Sequence, residues 1–151
     1  MLNSDFRDML SAFAEAGVRY LLVGAYAMAA HGYVRATGDI DFWVDRSPEN
    51  AERIISALTR FGAPLHGLGT EDLESPDLVF QVGVAPRRID VLTGIDGIAF
   101  DEAWPERYEV RISDLTVPVI SRHHLARNKR ATGRLKDAAD AAWLEGDIES
   151  G

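Results

Sequence analysis

Phe6, Met9, Leu10 and Phe13 fall at i, i+3, i+4 and i+7, the apolar stripe of an amphipathic helix, with Ser4 as the expected N-cap and Gly17 as the stop. Val18 to Val23 is a short apolar run with aromatic and β-branched members; it reads as a strand that ends at Gly24 and feeds a helical stretch from Ala25 to His31. Alternation follows. Asp39, Asp41 and Trp43 take one side while Ile40, Phe42 and Val44 take the other, which predicts a strand lying against a core. Ser47-Pro48 supplies an N-cap and a proline at the first helical position, and Ala51, Ile54, Ile55, Leu58 and Phe61 carry that helix to Gly62. Ala63 to Asp77, rich in Gly, Pro and acids, reads as an irregular excursion. Leu78 to Val84 and Arg87 to Leu92 read as a hairpin around Ala85-Pro86, and Tyr108 to Ile112 with Leu115 to Ile120 as a second strand pair. A short helix is expected near Phe100 to Glu106. Two more finish the chain, one from about Ser121 and one from Lys136 to Glu145 with Ala138, Ala139, Ala142 and Trp143 as its apolar stripe. Interleaved strands and helices place the chain in the α/β (α+β) class, a mixed sheet flanked by helices.

Composition narrows this to one domain over residues 1–151: 46% hydrophobic and 26% charged residues are enough for a real core. The first residues lack a basic, then apolar, signal segment, and no run approaches the ~20 apolar residues of a membrane span, so a cytoplasmic location is expected. With no cysteine, disulfides and thiolate metal sites are excluded. A net charge of -8 argues against a surface that coats nucleic acid. Yet Arg122, Arg127, Lys129, Arg130, Arg134 and Lys136 sit in an acid-free stretch, which reads either as a solvated helix face or as a contact for a small polyanion.

The alternation also puts two carboxylates side by side. Asp39 and Asp41, same-face neighbours at roughly 6.6 Å, repel each other unless a cation or proton neutralises them. In the later strand, Arg88, Asp90 and Leu92 share a face, so Asp90 is a third strand-borne carboxylate. If the two strands are neighbours, the three acids meet. Hard oxygen donors of this kind suit Mg²⁺ or Mn²⁺ rather than zinc. At Val23-Gly24-Ala25 a strand ends and a helix opens, so backbone N–H groups there form an anion site that a glycine leaves accessible.

The order Val23-Gly24-Ala25, helix, Asp39-Ile40-Asp41-Phe42, then Ile89-Asp90-Val91 resembles the nucleotidyltransferase superfamily that includes DNA polymerase β. The run from Val23 to Gly32 through Arg35-Ala36-Thr37-Gly38, and the later Lys129 to Asp140, look most like the minimal bacterial branch related to AbiEii-type toxins. One departure is Ala25, where the superfamily usually carries glycine or serine; a hydroxyl contact to the triphosphate is thereby absent. The resemblance implies that Asp39, Asp41 and Asp90 hold two divalent cations about 3.5 to 4 Å apart, with Asp90 as the base. It further implies that a nucleoside triphosphate is the donor and that Gly24, Ala25, Arg35, Thr37, Lys129, Arg134 and Lys136 line the nucleotide. An acceptor hydroxyl on tRNA, a protein or a small molecule would receive the nucleoside monophosphate, and a cognate antitoxin or other partner protein belongs to the same picture. The competing expectation is a catalytically silent member of the fold acting as a binding or antitoxin-like protein. Several residues keep plainer readings: His31 as a packed or capping residue, His123 and His124 as helix-opening residues without a zinc partner, Trp43 as core rather than a base flank, and Arg134 and Lys136 as partners of Asp137 or Asp140.

Overall fold

The computed structural model describes residues 3–35, 38–84 and 87–150, with side chains up to 146. Helix α1 (Ser4–Ala16) buries the predicted stripe of Phe6, Met9, Leu10 and Phe13 and stops at Gly17. Its N-cap is Asn3, not Ser4: the Asn3 side-chain oxygen accepts from the Phe6 N–H at 3.0 Å, and Ser4 becomes the first helical residue. Both residue types cap well, and the one that reaches the third helical N–H wins.

Strand β1 (Tyr20–Val23) leads into the short helix α2 (Gly24–Ala30), and β2 (Asp39–Val44) returns antiparallel to β1, pairing Val23 with Asp41 and Leu21 with Trp43. Helix α3 (Pro48–Phe61) starts on the Ser47 cap and ends on Gly62 as expected. Its buried Asn50 donates to the carbonyls of Arg19 (3.0 Å) and Asp45 (2.6 Å) and accepts from the Arg19 N–H (2.7 Å), which ties the start of β1 to the exit of β2. The excursion from residue 63 to 77 holds a single helical turn, α4 (Thr70–Leu73), anchored by the fully buried Leu73.

The hairpin of β3 (Val79–Val82) and β4 (Arg88–Leu92) forms antiparallel; its turn at Ala85-Pro86 lies outside the described residues. Helix α5 (Phe100–Ala103) runs into a 3-10 turn at Trp104–Glu106, and β5 (Tyr108–Ile112) pairs antiparallel with β6 (Leu115–Val119). Helices α6 (Arg122–Ala131) and α7 (Leu135–Ser150) close the chain. Among the described residues there are therefore six strands in the order β3-β4-β2-β1-β6-β5, with β4 parallel to β2 and β6 parallel to β1. None of the described helices is long and apolar enough to cross a membrane.

One sheet face, bearing Tyr20, Phe42 and their neighbours, packs on α1, where the Phe13 ring meets Tyr20 at 5.4 Å and Phe42 at 4.7 Å. The other face carries the acids. The stripe expected on α7 is corrected: Ala139 and Ala142 are exposed, and the buried positions are Asp137, Asp140, Ala141 and Leu144. An alanine-rich helix offers little hydrophobic contrast, so its orientation is set by where the two acids find partners.

Candidate active site

The parallel pairing of β2 and β4 sets Asp41 opposite Asp90 and Asp39 opposite Arg88. All four project from one sheet face into a cleft of about 640 Å³. The expected neighbouring of the two strands therefore occurs, with Asp41 and Asp90 facing each other and Arg88 set between Asp90 and Asp39. Arg88 donates from Nε to Asp90 Oδ1 at 2.8 Å and from Nη2 to Asp90 Oδ2 at 3.3 Å and Asp39 Oδ2 at 3.2 Å.

Asp41 sits deepest. Burial, and then the charge of Asp90 and a shared hydrogen bond with it, push its carboxyl up to about 7, with Asp39 adding and Arg88 relieving part of the repulsion. The folded chain thus binds this proton more tightly than the unfolded chain, whose carboxyl titrates near 3.8. Below that value the contribution is fully present, and it is lost as pH rises through 7. Metal-free protein should accordingly lose urea resistance between about pH 5 and pH 8. Asp41→Asn should flatten that slope; a slope unchanged by the substitution would show that the titrating group lies elsewhere.

Gly24 opens α2 with φ of 70°, and a Cβ placed there would collide with Asp41 Oδ2. The glycine is thus required by the acid as well as by the backbone. Gly24 and Ala25 both line the cleft.

The opposite wall comes from the α6–α7 pair. Lys129, 9% exposed, donates from Nζ to Asp137 Oδ1 at 3.2 Å and contacts Asp140 Oδ2 at 3.1 Å. Arg35, carried by the segment between α2 and β2, forks onto Asp140 at 3.1 and 2.6 Å. Arg134 donates from Nε to Asp137 at 2.9 Å, and the Thr132 hydroxyl donates to the same carboxylate at 2.8 Å. Burial alone would raise both acids. For Asp137 the Thr132 and Lys129 contacts outweigh it, and for Asp140 the Arg35 and Lys129 contacts do, so both carboxyls lie below the usual range. The basic segment is thus neither a plain solvated face nor a row of free cations. Lys136 lines the cleft and makes no ion pair among the described residues. Thr37 lies outside the described residues.

Arg88 was visible in the sequence as a same-face neighbour of Asp90, but its register opposite Asp39 was not. Asn128 and Thr132, which also line the cleft, carried no signal beyond lying in the basic segment. The plainer readings hold elsewhere: His31 caps α2 and its Nε2 lies 2.8 Å from the Ile120 carbonyl, while Trp43 is buried and meets the Phe100 ring edge-on at 5.1 Å.

The donor chemistry, three carboxylates on one sheet face with the Asp41 carboxyl raised by burial and by Asp90, fits a hard divalent cation. Yet among the described residues no three acids or histidines are placed to hold a metal ion as they stand, and Arg88 bonds both Asp39 and Asp90.

No protein-family model matches the chain, and no curated protein matches it. Solved structures do, among them the following two. A protein of Thermotoga maritima assigned as a nucleotidyltransferase aligns over 97% of this chain and 91% of its own, with a TM-score of 0.55 at 15% identity. The lincosamide antibiotic adenylyltransferase LnuA, bound to lincomycin, aligns over 96% of this chain and 97% of its own, with a TM-score of 0.59 at 18% identity. The likeness is one of fold: the six-stranded mixed sheet and its flanking helices are shared with these two proteins.

Proposed function

We propose that this chain is a metal-dependent nucleotidyltransferase that moves a nucleoside monophosphate from a nucleoside triphosphate to an acceptor hydroxyl. The observation that carries the reading is the pairing of Asp41 with Asp90 across adjacent parallel strands, facing a cleft whose far wall presents Lys129, Arg134 and Lys136. Acids on one side and cations on the other suit a substrate that is itself a polyanion bearing a metal ion.

Asp39, Asp41 and Asp90 would hold Mg²⁺ or Mn²⁺, which supplies charge neutralisation at the phosphates and makes the acceptor hydroxyl more acidic. Asp90 would accept that hydroxyl's proton, the hydroxyl oxygen would bond to the α-phosphorus, and pyrophosphate would leave. Gly24 and Ala25 present backbone to the phosphates without a hydroxyl contact. Arg35, Lys129 and Arg134 meet the triphosphate by exchanging part of their pairing with Asp137 and Asp140 for phosphate oxygens, and Lys136 does so directly. A small-molecule acceptor is favoured over RNA, since a net charge of -8 opposes a long polyanion while a cleft of about 640 Å³ suits a nucleotide with a compact partner.

The test is incubation with Mn²⁺, each of the four labelled nucleoside triphosphates and a cell extract, with label followed into small molecules, RNA and protein. Label should enter the small-molecule fraction with at least one nucleotide. Failure with all four, together with no heat of Mn²⁺ binding, sinks the proposal and favours a silent binding protein. That second reading draws on Arg88 already neutralising the outer acids and on Ala25 in place of a hydroxyl-bearing residue.

A further inference from the structure

The guanidinium of Arg88 lies within the acidic wall rather than beside it. Its fork spans the two outer acids, taking both oxygens of Asp90 and one of Asp39, and the side chain is 30% exposed, so it has an open route toward the cleft. Its backbone is fixed: the Arg88 N–H donates to the Gly38 carbonyl at 3.1 Å, and the residue is in register with Asp39. The charged tip can therefore move without moving β4.

A divalent ion and a guanidinium on the same carboxylate would repel each other by more than thermal energy even at the dielectric of water. The two occupants exclude each other. We propose that Arg88 is a positioning residue, a tethered counter-cation that holds Asp39 and Asp90 together in the metal-free protein and is displaced from them when a divalent cation binds. The inference rests on the metal reading given above. Its consequence is geometric, since Asp90 and Asp39 turn their oxygens to a bound ion only once the Arg88 fork has left them. Arg88 thereby holds the acidic wall together until a metal arrives.

The test titrates Mn²⁺ alone into metal-free wild type, Arg88→Gln and Arg88→Lys, and melts each in EDTA. Arg88→Gln should bind Mn²⁺ about tenfold more tightly than wild type, because a competing charge is gone, while melting at a lower temperature in EDTA. Arg88→Lys, which keeps the charge but not the fork, should stay near wild type in affinity and fall between the two in melting. A merely structural arginine would not tighten metal binding when removed. Equal or weaker binding by Arg88→Gln overturns the exchange and leaves the metal reading intact, whereas no binding by wild type and Arg88→Gln alike overturns both. Should Arg88→Gln not fold, the wild-type Arg88 Nε–H resonance serves instead, assigned by its disappearance in Arg88→Lys. Saturation with Mg²⁺ should shift it and speed its exchange with water, and an unmoved resonance overturns the proposal.

Discussion

Asp41→Asn is expected to lower nucleotidyl transfer by about a thousandfold or more, some 4 kcal/mol of transition-state stabilisation, while leaving the metal-free protein at least as stable as wild type above neutral pH. The two effects have opposite sign because they come from the same carboxylate. Asparagine matches aspartate in size, so it fits against Gly24, and its amide can donate to Asp90. What disappears is a charge that repels Asp90 and Asp39 in a buried place. Relief of that repulsion, about 1 kcal/mol after screening, should raise the melting temperature in EDTA at pH 8 by a few degrees. With the charge also goes a ligand, so protection by Mn²⁺ should vanish. Retained activity, or a melting temperature that falls in EDTA, would mean that Asp41 is a structural acid rather than a metal-binding one.

Gly24→Ala should cost about 2–4 kcal/mol and lower the melting temperature by roughly 5–10 °C. Two causes add. A φ of 70° is strained for alanine, and the new methyl group lands on Asp41. Gly17 separates them, since its φ of 71° is the same but a Cβ there meets nothing within 4 Å. Gly17→Ala should therefore show the backbone cost alone, about 1 kcal/mol. The double variant Gly24→Ala with Asp41→Gly, which removes the colliding side chain, should recover the difference. Equal melting temperatures for Gly17→Ala and Gly24→Ala would show that Asp41 is free to move aside.

Local rules carried most of the fold. The i, i+4 stripe of α1, the Ser-Pro start of α3 and the stops at Gly17 and Gly62 are decided within a turn of their own residues, as is the face shared by Asp39 and Asp41. The misses are non-local or lack contrast. Arg88 depends on a register between β2 and β4, whose residues are nearly fifty positions apart, and no alternation pattern sets that register. The α7 stripe was assigned by hydrophobicity to Ala138, Ala139, Ala142 and Trp143, whereas Asp137 and Asp140 turn inward because Lys129, Arg35 and Thr132 await them. Burial of a paired acid looks, in sequence, like a solvated one. For the same reason the basic segment reads as either surface or substrate contact, when its Lys129 is held between two buried carboxylates.

The ion pair that joins Arg35 to Asp140 links positions 105 residues apart. Since a polypeptide leaves the ribosome from its N-terminus, β1, β2 and β4 and every acid of the sheet face emerge before any part of α6 or α7. A nascent chain halted after β6 would carry Asp39, Asp41, Asp90 and Arg88, yet Arg35 would have no Asp140 to clasp. The order of synthesis thus separates the making of the sheet from the making of the cleft. Synthesis of α6 and α7 then sets a basic wall opposite that acidic face and makes it a two-signed cleft.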